Sequence, residues 1–259
     1  MMEGMAPPKL DVSAMPRGGP DASCLDRLLE TDRLEYLDRD SGDPGVAARK
    51  RSVIRALELT GDLFGNHEKF AHIALDEVAE VPDPRILELG AGHGGLSAKL
   101  LEMHPTARVT VTDVEPQSVA AISAGPLGSD ERATVAVVDA TEIDSADGSF
   151  DLAIFALSFH HLPPAAAARV IAEGTRVADR LVIVDLPRPP APLHLIRLAT
   201  MLPLAPFIHF VHDGVISSLR SYSPSALRAL AAEAGPDVIV ELRGGLLSPQ
   251  VAVITRSHG

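Results

Sequence analysis

A strand, a glycine cluster and a helix follow one another within residues 85–103, and no other stretch restricts the fold as much. Arg85-Ile-Leu-Glu-Leu89 is short and apolar. Gly90, Gly92, Gly94 and Gly95 come next, and Leu96, Leu100 and Leu101 then recur at helical spacing. Strand, glycine turn and helix is how an α/β protein presents its backbone to a nucleotide-like ligand at the carboxyl end of its first strand. Glycine permits both the sharp turn and the close approach. Gly90, Gly92 and Gly95 also satisfy the G-x-G-x-x-G spacing of a dinucleotide site, so the glycines alone do not choose the ligand. Glu88 bears on that choice. A loop for a pyrophosphate works through bare N–H groups and the helix dipole, whereas a carboxylate beside it suits a ligand carrying positive charge.

The segments that follow extend the α/β pattern. Arg108–Asp113 is a β-branched run ending in an acid 18 residues after Gly95. An acid there accepts hydrogen bonds from ribose hydroxyls, a device shared by both cofactor classes. Strands are expected near 85–89, 108–113, 133–138, 150–156 and 180–185, with helices near 94–103, 115–123 and 164–178. That alternation predicts a parallel, doubly wound sheet. Two closing strands are expected near 237–242 and 249–255, after a helix capped by Ser223 with Pro224 in its first turn. Three helical segments are expected earlier, over Cys24–Tyr36, Val46–Thr60 and Asn66–Glu80.

Several motifs in order and spacing carry a resemblance. They are Leu-Glu-Leu-Gly-Ala-Gly-His-Gly, Val-Thr-Asp-Val-Glu-Pro, Val-Asp-Ala-Thr-Glu-Ile, Gly-Ser-Phe-Asp-Leu-Ala and His160-His161-Leu162-Pro163, with Arg180-Leu-Val-Ile-Val-Asp185 as a fifth strand. The chain resembles the class I S-adenosylmethionine-dependent methyltransferases, of the branch that includes ubiquinone/menaquinone-type and many small-molecule enzymes. The match covers residues 84–186, with a weaker tail. Val177-Ala-Asp-Arg180 stands where family members often have Lys-Pro-Gly-Gly, a turn away from the cofactor end. The resemblance implies a seven-stranded Rossmann-like sheet. It also implies an N-terminal helical cap over 23–82 and a methyltransferase domain over 83–259, with an apolar lid inserted at 187–222 before the closing hairpin.

The same resemblance assigns S-adenosylmethionine contacts. Glu88, Gly90 and Gly92 would serve the methionine end, Asp113 and Val114 the ribose and its surroundings, Asp139 and Ala140 the adenine, and Phe155 the end of the fourth strand. His160 and His161 follow that strand where acceptors sit. Histidine titrates near neutrality, so either is a candidate for taking the acceptor's proton. Tyr36 and Phe64 in the cap, and His209 and His212 after the insertion, are candidate acceptor contacts. Methyl transfer from a sulfonium needs alignment and exclusion of water and requires no metal. His209, His212 and Asp213 lack a further evident ligand, so no metal site is expected.

Composition removes other classes. Formal charge is −12, from 35 acids against 23 bases, with no tryptophan. Both features disfavour nucleic acid, which needs clustered bases and stacking platforms. Cys24 is the single cysteine, so no intrachain disulfide forms. Met1–Pro20 has no continuous apolar run and is rich in Pro and Gly. Residues 1–22 are expected to be disordered and the protein cytoplasmic. Leu193–Val211 is apolar but carries His194, Arg197, Pro203, Pro206 and His209. No membrane span is expected there; the segment suits a lid over a small, fairly apolar acceptor, or a homodimer contact. Two other functions share the fold: an NAD(P)-dependent oxidoreductase, disfavoured by Glu88, and a non-catalytic S-adenosylmethionine-binding protein.

Overall fold

The computed structural model describes residues 11–36, 38, 45–46, 48–50, 52–53, 55–56, 65–204, 208–244 and 248–257. Seven strands form one sheet: β1 Arg85–Leu89, β2 Arg108–Asp113, β3 Ala133–Val137, β4 Phe150–Ala156, β5 Ala178–Asp185, β6 Val238–Arg243 and β7 Gln250–Arg256. Their order is β3-β2-β1-β4-β5-β7-β6. The first five strands pair in parallel, and β7 runs antiparallel to both β5 and β6. The doubly wound sheet and its closing hairpin therefore form where the sequence places them. The strand order reverses between β1 and β4, and ligands of open α/β sheets bind at such a reversal, beyond the strands' carboxyl ends.

Alternation along each strand divides the core between two faces. Leu87, Leu89, Ala153, Phe155, Leu181 and Ile183 turn to one layer; Ile86, Leu152, Ile154, Val182 and Val184 turn to the other. The described helices are α1 Cys24–Leu28, α2 Asn66–Asp76, α3 Gly95–Met103, α4 Pro116–Ala124, α5 Pro164–Val177, α6 Ala191–Met201, α7 His209–Arg220 and α8 Pro224–Ala234. Helices α5 and α8 cover the first layer through residues such as Ile171, Leu227 and Leu230. Helices α2, α3 and α4 cover the second through Phe70, Leu100 and Ile122. Each fully buried Leu or Ile contributes about 1.5–3 kcal/mol by leaving water. Helix α8 starts as expected, with Ser223 Oγ accepting from the Ala226 N–H at 3.1 Å and Pro224 in the first turn.

Three expectations change. First, residues 11–22 are not disordered. Val12 and Met15 are buried in the α5/α8 layer, and Arg17 is 5% exposed. The Arg17 carbonyl accepts from the Ser223 N–H at 2.9 Å, and the Gly18 carbonyl accepts from Ser223 Oγ and Ser225 Oγ. Few apolar residues suffice here because backbone groups and one arginine supply the pairing. Second, the Cys24–Tyr36 helix stops at Leu28. Arg188 Nη2 donates to the Asp26 and Leu29 carbonyls, both at 3.0 Å, and so satisfies groups that a longer helix would have used. Leu28 and Leu34 are left exposed. Third, α2 of the N-terminal cap also packs into the sheet's second layer, since Phe70, Ala71 and Ala74 lie with Leu96 and Leu100.

The 187–222 insertion becomes α6 and α7. Helix α7 packs on the 3-10 turn Phe159–His161 that follows β4. Leu193, Leu195 and Ile196 on α6, with Leu202, Leu204 and Ile208 beyond it, are exposed. No helix among the described residues is long and apolar enough to cross a membrane.

Candidate active site

At the end of β1 the chain turns through two glycines held at positive φ. Gly90 sits at φ +65°, and a Cβ there would stand 2.5 Å from the Phe155 ring. Gly92 sits at φ +58°, and a Cβ there would meet nothing within 4 Å. One glycine makes room for a side chain beneath the loop; the other faces open space above it. The Gly92 N–H donates to Asp113 Oδ2, and the Glu115 N–H donates to Asp113 Oδ1, both at 2.8 Å. Asp113 thus ties the ends of β1 and β2 together while lying at the rim of that space. Val114, next to it, is 65% exposed, an apolar side chain with nothing over it. Asp139 is exposed beyond β3 and accepts from the Thr141 N–H and Oγ1, at 2.8 and 2.7 Å. Ala140 packs partly against the core.

Glu88 is buried, and Ser97 Oγ of α3 donates to its Oε2. Burial pushes the carboxyl up to about 7, and the Asp113 charge adds to this while the Ser97 hydrogen bonds oppose it. A group poised there gains from a cation arriving at the loop.

Beyond β4 the backbone leaves through Leu157 at φ +54°, the one non-glycine with positive φ among the described residues. Its N–H donates to the Val184 carbonyl at 2.8 Å, which holds a conformation that otherwise costs about 1–3 kcal/mol. Ser158 Oγ reaches the Gly90 carbonyl at 3.4 Å, so the next turn begins against the glycine loop. That turn delivers both histidines. His160 is buried between carboxylates. Its Nδ1 lies 2.8 Å from Asp185 Oδ1, its backbone N–H donates to Asp185 Oδ2 at 2.8 Å, and its Nε2 faces Glu35 Oε1 at 3.5 Å. Burial works against the imidazolium, but Asp185 and Glu35 outweigh it and raise the pKa to about 9. His161 is more open, with a quarter of its side chain exposed; its Nδ1 lies 2.8 Å from Asp38 Oδ1 and its Nε2 3.9 Å from Glu35 Oε2. His161 and Arg220 overcome the effect of burial on Asp38 and hold its carboxyl well below the usual carboxylate range.

Around this pair the N-terminal segment and α7 close. Ser217 Oγ donates to Glu35 Oε1 at 2.7 Å. Arg220 Nη1 donates to Asp38 Oδ2 at 2.6 Å, and its Nη2 to the His161 carbonyl at 2.7 Å. Arg17 Nη1 donates to the carbonyls of His160 and Arg220, both at 2.7 Å. One turn away, the Tyr36 ring packs against His212 and His209, with centroids 4.7 and 5.4 Å apart. Asp213 joins them, accepting from the Tyr36 N–H at 3.0 Å and lying 2.9 Å from His212 Nδ1.

The structure therefore groups Glu88, Gly90, Gly92, Asp113, Val114 and Phe155 around the carboxyl ends of β1, β2 and β4, and His160 with His161 in the turn that follows β4. Tyr36, His209 and His212 form a cluster beside the histidine pair. Phe64 lies outside the described residues. Sequence reasoning missed Glu35, Asp38, Asp185, Arg17 and Arg220. Asp185 carried a signal, because it ends an apolar strand as Asp113 does. The others are joined to the histidines by contacts distant in sequence, from 59 residues for Arg220 to 143 for Arg17, and had none.

A profile described as a methyltransferase domain matches residues 86–180. A demethylmenaquinone methyltransferase of Beutenbergia cavernae is 32% identical over 213 residues, covering 77% of this chain and 85% of the relative. The chain belongs to the class I S-adenosylmethionine-dependent methyltransferases. A malonyl-[acyl-carrier protein] O-methyltransferase of Geobacter sulfurreducens is 36% identical over 100 residues, 38% of this chain and 36% of that protein. Among solved structures, the plantazolicin methyltransferase BpumL with S-adenosylhomocysteine superposes at a TM-score of 0.65, with 13% identity over 90% of this chain and 98% of that one. Magnesium protoporphyrin IX methyltransferase of Synechocystis gives 0.51, with 15% identity over 86% and 91%. These two show the shared fold. The relatives differ in the acceptors they name, so they place this methyltransferase in the superfamily without distinguishing a branch.

The cofactor is S-adenosylmethionine, and the residues present fit it. The space over Gly92 is bare, Asp113 stands at its rim, Val114 offers an uncovered apolar surface, and Glu88 holds a carboxylate behind the loop.

Proposed function

We propose that this methyltransferase acts on a small, fairly apolar metabolite whose accepting atom loses a proton, a phenol-type hydroxyl being the first to test. The observation that carries the reading is the histidine pair, in which His161 takes the proton and His160, kept protonated by Asp185 and Glu35, supports it. Two imidazoles, each backed by a carboxylate, stand past the end of β4 beside the glycine loop. When bound, S-adenosylmethionine supplies an activated methyl on a sulfonium, so the protein has to align, desolvate and accept a proton. In this reading Asp113 takes the ribose hydroxyls, Asp139 and Ala140 the adenine, Val114 covers that end, and Glu88 with Gly90 and Gly92 serves the methionine end. Phe155 supports the loop from below. Tyr36, His209 and His212 form the acceptor wall, and α7 shuts out water. The similarity to a demethylmenaquinone methyltransferase supports an apolar acceptor.

The test is transfer of labelled methyl to a panel of phenols, enols, amines and activated rings. Wild type is expected to label hydroxyl acceptors, and His161→Gln to lower kcat by about 10²–10⁴-fold with little change in cofactor affinity. Undiminished kcat in that variant would remove the pair from the chemistry.

Glu88 makes a second expectation. A cation at the loop lowers the Glu88 pKa from about 7, so binding releases a proton. Affinity for S-adenosylmethionine is then level above pH 7 and falls by up to about tenfold per pH unit below it. The free protein behaves in the opposite sense. The raised folded-state pKa costs it stability as pH climbs from the ordinary glutamate range through 7. Calorimetry between pH 5.5 and 8 checks the first statement, and a flat profile contradicts it.

A further inference from the structure

Three ligating atoms converge in the histidine centre. One ring nitrogen of His160, one of His161 and a Glu35 oxygen lie within 4.8 Å of one another. Both imidazoles turn their Nδ1 atoms outward to carboxylates at 2.8 Å, His160 in a hydrogen bond to Asp185 and His161 in an ion-pair contact with Asp38 that is not aligned as a hydrogen bond. That leaves both Nε2 atoms directed at Glu35, at 3.5 and 3.9 Å. A carboxylate on the far nitrogen is the arrangement that orients an imidazole toward a metal and raises its basicity. His160 Nε2 is buried and has no hydrogen-bond partner among the described residues. A polar atom in that state costs free energy unless something fills the space in front of it. Glu35 is fixed in turn by Ser217.

We propose that Glu35, His160 and His161 bind a first-row divalent cation of the zinc class, leaving one coordination position for a water or an acceptor oxygen. Two histidines and one carboxylate make a three-ligand set of the kind catalytic zinc sites use, and imidazole nitrogen selects this class over magnesium or calcium. Metal–ligand bonds of about 2.0–2.2 Å put tetrahedral ligand atoms roughly 3.3–3.6 Å apart. The two Nε2–carboxylate distances are close to that, and the widest separation closes with side-chain shifts of about an ångström. The cation would also join the N-terminal segment to the β4 loop, since Glu35 comes from the first and both histidines from the second. With both Nε2 atoms on the cation, activation of the acceptor oxygen passes from the imidazoles to the cation; the proposal rests on the acceptor reading for the cation's role but not for its presence.

The full-length protein, stripped with a chelator, is titrated with Zn²⁺ by calorimetry and with Co²⁺ by visible absorption, without cofactor or acceptor. One equivalent of Zn²⁺ is expected, with a Co²⁺ spectrum of four-coordinate intensity. Glu35→Gln keeps the shape of its side chain, and His161→Gln alters the more exposed ligand; each is expected to weaken binding by at least about tenfold while circular dichroism stays unchanged. Wild type that binds no Zn²⁺ would leave His160 bridged to Asp185 and Glu35 by protons alone and overturn the proposal. Binding that survives both substitutions places the cation elsewhere and overturns it equally. A protein that holds Zn²⁺ here but transfers no methyl group would sink the functional reading and leave the site standing.

Discussion

Asp113→Ala is expected to bind S-adenosylhomocysteine at least about 100-fold more weakly than wild type. A carboxylate facing two ribose hydroxyls makes two charge-assisted hydrogen bonds, each worth about 1.5–3 kcal/mol. Losing them alone accounts for two decades or more of affinity. The loop adds to the loss, because Asp113 also holds the Gly92 and Glu115 N–H groups, and without it the turn over β1 has no anchor on β2. Asp113→Asn separates these effects. It keeps an oxygen for one N–H but drops the charge, and should fall between the two. Calorimetry on the three proteins, with NADH as a control ligand, gives the answer. An unchanged dissociation constant for Asp113→Ala would detach β2 from cofactor binding, and preference for NADH would return the fold to dinucleotide chemistry.

Legibility in the sequence follows the range of the interactions. The β1 segment carries its strand, its glycine turn and its acid within 13 residues, so the sequence places Glu88, Gly90 and Gly92 together at one strand end. Asp113, Asp139 and the hairpin strands were readable for the same reason: a strand that ends in an acid or a turn announces itself locally. The histidine centre was half readable. His160 and His161 stand in a recognisable place after β4, but what defines their chemistry comes from Glu35 and Asp38, more than 100 residues away, and from Arg220, 59 residues from His161. No periodicity encodes such a pairing. The error over residues 11–22 has a different origin. Proline, glycine and few apolar side chains look like disorder when burial is the criterion, yet this segment is held by Arg17 and by backbone hydrogen bonds to the Ser223 region.

That segment sets the last expectation. Arg17→Ala should destabilise the protein by about 3–5 kcal/mol. Its guanidinium is the shared donor to two carbonyls, those of His160 and Arg220, and it lies 4.7 Å from the centre of the Tyr222 ring. Each buried carbonyl left without a donor costs about 1–3 kcal/mol, and the lost ring contact adds about 0.5–2 kcal/mol. Urea unfolding measures the sum. The same change should reach turnover, because the two carbonyls belong to the β4 loop and α7, whose separation sets how His161 meets the acceptor. Cofactor affinity should move little, since the two carbonyls that Arg17 holds belong to His160 and Arg220, not to Asp113 or the glycine loop. A variant as stable as wild type to within 0.5 kcal/mol, roughly the scatter of surface substitutions, would make residues 11–22 a surface strap. A stable fold with kcat reduced and S-adenosylhomocysteine binding intact would show instead that the N-terminal segment positions the acceptor centre more than it holds the fold together.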